Sequence, residues 1–148
     1  MHRAFWGTGL LALGLCPAGA GAQSVFTQQV RAQLVANSTA ANVAGLTLSH
    51  EPEIGSLDHG QSRTFHITLR AGTTYLLTAA CDEDCDDVDL KLLSPGMAEV
   101  ARDVASDDRP AIVFTPRRTG EYHLRVIMAS CTRAPCRFGL GVFSDADR

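Results

Sequence analysis

A chain of 148 residues, 45% of them apolar, is long enough for one domain with a real core and too apolar for wholesale disorder. Its formal charge of −3, with arginines scattered and no interleaved set of aromatics, argues against a nucleic-acid binder. Short runs of Leu, Val, Ile, Thr, Tyr and Phe, separated by thirteen glycines, favour an all-β fold over a helical one.

Residues 1–22 read as a signal peptide. His2 and Arg3 give a basic start, Ala4 to Leu15 an apolar run too short to span a bilayer, and Ala20-Gly21-Ala22 the small residues a peptidase needs. The expectation is cleavage after Ala22 and a periplasmic or secreted protein. Cys16 raises lipid attachment, but Leu15 stands where lipoprotein processing wants a small residue. No other segment reads as long and apolar enough to cross a membrane.

Residues 23–44 read as a helix and linker. Ser24 is a fair N-cap, and Phe26, Val30 and Leu34 recur at helical spacing on one face. Asn37-Ser38-Thr39 fits the short N-glycosylation pattern. Residues 45–148 read as a β-sandwich domain. Leu46 and Leu48 alternate with Thr47 and Ser49, and Ile54 to Leu57 resumes after Pro52. Phe65, Ile67 and Leu69 then alternate with Thr64, His66 and Thr68, a half-buried strand. Tyr75, Leu77 and Ala79 share a face, as do Val88, Leu90 and Leu92 after the acidic loop.

Ser94-Pro95-Gly96 is a turn, Glu99 to Val104 an edge strand, and Ala111 to Phe114 a compact apolar run. Tyr122, Leu124, Val126 and Met128 line one face of a further strand. Phe138, Leu140 and Val142 finish the domain, with Gly139 and Gly141 on the other side. Eight or nine short strands punctuated by turns suit a sandwich of two antiparallel sheets.

The densest chemistry lies between Cys81 and Asp89, where six acids fall within nine residues. Asp82, Asp84, Asp86, Asp87 and Asp89 crowd carboxylates whose repulsion must be relieved by water, arginine or a cation. Calcium, which takes six to eight oxygens in flexible geometry, is the candidate ion. The loop lacks the spacing and glycine of an EF-hand, and a solvated loop paired with arginines is the competing reading.

Cys81/Cys85 and Cys131/Cys136 are close pairs in an exported chain, so disulfides are the default. Four cysteines allow three connectivities. The local pairing is favoured, because each pair brackets a polar loop. A four-thiolate zinc site would need the two pairs to converge. His66 and His123 point away from the core faces of their strands, and would sit side by side if those strands are neighbours. A metal or proton-transfer role then needs a third partner.

No Gly-x-Ser-x-Gly elbow, phosphate-cradling glycine loop or His-Glu-x-x-His helix is present in the sequence. A non-enzyme is therefore expected.

Taken in order, Gly55-Ser56-Leu57, Thr64 to Leu69, Ala71-Gly72-Thr73-Thr74-Tyr75, Asp87 to Leu92, Phe114-Thr115-Pro116 and Thr119-Gly120-Glu121-Tyr122 to Val126 form a series. It resembles the bacterial pre-peptidase C-terminal domain and the related collagen-binding domains of secreted collagenases. The likeness runs from Leu46 to Phe143. It implies a jelly-roll β-sandwich that is non-catalytic, aids secretion, localisation or substrate binding, and in some members binds calcium. Two classes of function follow: a module binding a protein, polysaccharide or envelope partner, or an accessory protein aiding export or stability of a secreted partner. A hydrolase is the distant alternative.

Overall fold

The computed structural model describes residues 19–40 and 45–145, with side chains from residue 28 onward. The expected signal sequence up to residue 18, including Cys16, lies outside the described residues. A helix, α1 (Gly19–Ala40), precedes nine strands: β1 (Thr47–Leu48), β2 (Glu53–Leu57), β3 (Ser62–Leu69), β4 (Tyr75–Cys81), β5 (Cys85–Leu93), β6 (Glu99–Asp103), β7 (Ala111–Phe114), β8 (Gly120–Cys131) and β9 (Cys136–Ser144).

The strands form an all-β antiparallel sandwich. In the first sheet β9 pairs with β1 and β2 on one side and with β4 on the other, and β4 pairs with β7. The second sheet has the order β3-β8-β5-β6. Every connection from β2 to β9 changes sheet except the β5–β6 hairpin, a jelly-roll-like path.

The core follows from the period-2 alternation of side chains along each strand. Ile67 and Leu69 from β3, Val88, Leu90 and Leu92 from β5, and Leu124, Val126 and Met128 from β8 meet Leu77, Ala79, Phe138, Leu140 and Val142 from the facing sheet. All are buried, and Phe65 and Phe114 pack against them at the margin.

A second apolar cluster sits outside the first sheet. Val30 and Leu34 of α1 pack on Leu76, Ala80 and Phe143. This explains why every residue of β4 is buried: one face looks into the sandwich and the other lies under the helix. Gly139 permits the close approach, since a Cβ there would lie 1.9 Å from Cγ1 of Val30. Leu34 likewise covers Gly141, whose Cβ would lie 3.2 Å from Cδ1 of Leu34.

One reading of this region is corrected. The helix is already under way at Gly19, so Ser24 is not its N-cap, and it continues through Ala40 into the expected linker. Asn37 is nearly buried, and its Nδ2 donates to the Ala79 carbonyl at 2.9 Å. The β4–β7 register ends at Thr78↔Ala111, so this side chain supplies a donor just beyond the paired segment. An amide so engaged is a structural group that ties α1 to β4.

Candidate functional site

The cysteines pair locally, Cys81 with Cys85 and Cys131 with Cys136. Each short bridge spans a change of sheet, from β4 to β5 and from β8 to β9. Cys85 and Cys131 are register partners, so the two disulfides lie at the same end of the sandwich. The pairs do converge, as a zinc site would require, but as disulfides they offer no thiolates. The loops between them are stitched together. The carbonyl of Asp84 accepts both the N–H (2.8 Å) and the hydroxyl (2.9 Å) of Thr132. Asp82 N–H donates to the Arg137 carbonyl, and Arg137 N–H donates back to Oδ2 of Asp82.

This framework divides the acidic loop. Asp82 is committed to the Arg137 backbone, and Asp84 lies 3.3 Å from Nε of Arg133. Asp86 is exposed. Register shifts between Cys85 and Asp87, and again between Asp87 and Asp89, interrupt the ladder of β5 with β8. Asp87 and Asp89 therefore belong to a different neighbourhood, near Asp107 and Asp103. Burial, with the Asp107 charge second, raises the pKa of Asp87. Burial and the Asp87 charge raise that of Asp89, against a smaller opposing pull from Lys91. Oδ1 of Asp87 and Oδ1 of Asp82 are buried without a hydrogen-bond partner.

A cleft of about 650 Å³ opens at the other end of β5 and β8. Residues 94–96 of the β5–β6 turn form one wall and residues 115–119 of the β7–β8 loop the other. Val100, Phe114 and Tyr122 give it an apolar floor, and Arg117 and Arg118 bring positive charge to its rim. Phe114 and Tyr122 stack edge to face with centroids 5.7 Å apart.

The arginine-bearing loop is anchored on both flanks. Tyr122 Oη donates to the Arg118 carbonyl at 3.0 Å, Thr119 Oγ1 accepts from Ala71 N–H, and the Pro116 carbonyl accepts from Gly72 N–H. Among the described residues neither Arg117 nor Arg118 forms an ion pair. In the β5–β6 turn, next to the cleft residue Gly96, Met97 is held at φ 65°, an unusual conformation for a non-glycine residue, with 55% of its surface exposed. Sequence reading found the Ser94–Gly96 turn but not the cleft, because no pattern along the chain says that residues 94–100 and 114–122 adjoin.

Another hollow is lined by Thr47, Ser49, His50, Thr68 and Arg70 together with Leu48, Tyr75 and Ser144. A further one lies between Gln29, Ala32 and Gln33 of α1 and Asp82 and Glu83. Each exposes less apolar surface than the cleft.

His66 and His123 are register partners on β3 and β8, so the condition for their sitting side by side is met, and their rings lie 4.8 Å apart and nearly perpendicular. The missing third partner is Glu121, whose Oε1 is 3.1 Å from Nδ1 of His66. Among the described residues no helix is long and apolar enough to cross a membrane.

No protein-family profile matches the chain, and no curated protein matches it. Among solved structures, the chain is similar to the pre-peptidase C-terminal domain of a collagenase from Bacillus anthracis. That match has 15% identity and a TM-score of 0.49, over 62% of this chain and 86% of that one. It is also similar to a periplasmic inhibitor of g-type lysozyme from Aeromonas hydrophila, with 16% identity and a TM-score of 0.48, over 63% of this chain and 83% of that one.

Proposed function

We propose that this protein is an exported, non-catalytic binding module that holds an acidic, partly apolar segment of a partner protein in the cleft between residues 94–100 and 114–122. The observation that carries the reading is the pairing of an apolar floor with two arginines that have no acidic partner among the described residues. The chain as a whole is acidic, at −3, so this is a local field of opposite sign. Anchoring of the arginine loop favours binding, because little side-chain and backbone freedom remains to be lost. The two disulfides support a destination outside the cytoplasm.

A protein partner fits better than a polysaccharide. The exposed large apolar residues are Val35, Met97, Val100, Val104 and Val113, with no exposed aromatic among the described residues on which a sugar ring could stack. Calcium enters the proposal at Asp87 and Asp89, not across the whole loop. A hard cation there would relieve the repulsion from Asp107 and Asp103 and give the unbonded Oδ1 of Asp87 a partner.

Photo-crosslinking tests the cleft. A photoreactive residue at position 100, exposed to the envelope or extracellular fraction, should give a discrete protein adduct. The adduct should disappear in the Arg117→Glu/Arg118→Glu variant. An adduct of equal yield in both proteins contradicts the proposal.

A further inference from the structure

We propose that His66, His123 and Glu121 form a binding site for a divalent transition-metal ion, zinc by its donor preference, on the outer face of the second sheet. The three residues come from two neighbouring strands. His66 and His123 face each other across the β3–β8 ladder, and Glu121 lies two residues before His123, hence on the same side of the sheet. Their ligand atoms all lie within 4.8 Å of one another. Tetrahedral zinc, with bonds of about 2.0–2.2 Å, holds its ligand atoms roughly 3.3 Å apart. Rotation of side chains is enough to close that gap. The side chains of His66 and Glu121 are 60% and 62% exposed and therefore free to turn, while the strands beneath them stay paired.

The surroundings suit a cation. Arg125, the nearest basic residue along β8, directs its Nε to Oγ1 of Thr64 at 3.3 Å. Lys91 of β5 is engaged with Glu99. Leu93, the register partner of His123 on β5, gives that side an apolar wall. The ion would take the place of the hydrogen that now joins His66 to Glu121. Two imidazoles and one carboxylate leave a fourth position for water or a donor from another molecule. Nitrogen donors select a transition metal over calcium, so this site is chemically separate from Asp87 and Asp89.

The test is calorimetric titration of the full exported protein with zinc chloride in a non-coordinating buffer. One zinc per chain is expected, with the isotherm unchanged by excess calcium. His66→Ala and His123→Ala should each weaken binding by roughly 100-fold or more, beyond the 10–100-fold typical of losing an outer partner. His50→Ala should bind as the wild type does. The substitutions are at sheet-surface positions, and unchanged circular dichroism without metal confirms that each variant folds. Failure of the wild type to bind zinc, or binding that survives in both His66→Ala and His123→Ala, overturns the assignment.

Discussion

Cys85 and Cys131 face each other as register partners in one sheet, yet each is covalently bonded to a strand of the other sheet. Two crosslinks that span only four and five positions of sequence therefore close one end of the sandwich. Loops this short restrict the unfolded chain little, so each bridge should stabilise by about 2 kcal/mol on the loop-entropy model. Cys81→Ala/Cys85→Ala and Cys131→Ala/Cys136→Ala should each lose about that much in urea unfolding. The four-cysteine variant should lose more than their sum, by about 0.5 kcal/mol or more, because adjacent crosslinks share the task of holding the sheets together. Strict additivity would show that the two bridges act independently.

Helix docking depends on the absence of a single methyl group. With a Cβ at position 139 placed 1.9 Å from Val30, Gly139→Ala should cost about 1–3 kcal/mol as the helix is pushed off the sheet. Amide exchange should quicken along residues 30–40 first. Adding Val30→Ala should recover part of the loss. A Gly139→Ala protein as stable as the wild type would mean that α1 does not rest on β9.

Asp87 gives the stability a definite pH dependence. Its pKa is raised above 3.8 in the folded state, so folding favours the protonated form. The favourable contribution is full below 3.8 and is lost as pH rises through the folded value. Asp87→Asn, which fixes the neutral form, should therefore melt above the wild type at pH 7 in chelator, with the advantage shrinking as pH falls toward 3.8. Calcium should act in the same direction as the proton. At about 1 mM it should raise the wild-type melting temperature by a few degrees and leave Asp87→Asn unmoved. Identical wild-type curves with calcium and with chelator would remove the cation from the proposal.

Met97 carries strain in the β5–β6 turn, one residue beyond the cleft wall. At φ 65°, a side chain costs about 1–2 kcal/mol that glycine avoids, partly offset by glycine's greater freedom in the unfolded chain. Met97→Gly should stabilise the fold by up to about 1 kcal/mol while weakening partner capture. Greater stability with capture intact would mean that Met97 is not part of the binding surface.

Strand faces were legible because alternation survives translation into structure. Leu90, Leu124 and Val126 are buried where period two put them, and the local cysteine pairing followed from spacing and export. The division of the acidic loop was not legible. Two register shifts in β5 break the simple alternation and send Asp87 away from Asp82 and Asp84. Glu121 was half-visible. Its spacing from His123 put the two on one face, but its contact with His66 depends on the β3–β8 register, which the sequence of neither strand contains. Gly139 and Gly141 were seen on the outer side of β9, but that α1 covers them is a long-range contact.

Affinity for the protein recovered by crosslinking at position 100, titrated against wild type and against Arg117→Glu/Arg118→Glu at low and high salt, tests the cleft most directly. The wild type should bind more weakly as salt rises. The double variant should lose at least 10-fold at low salt, the scale of a truncated interface anchor, with its melting temperature unchanged. Equal affinities for the two proteins at low salt would place the partner elsewhere on the molecule.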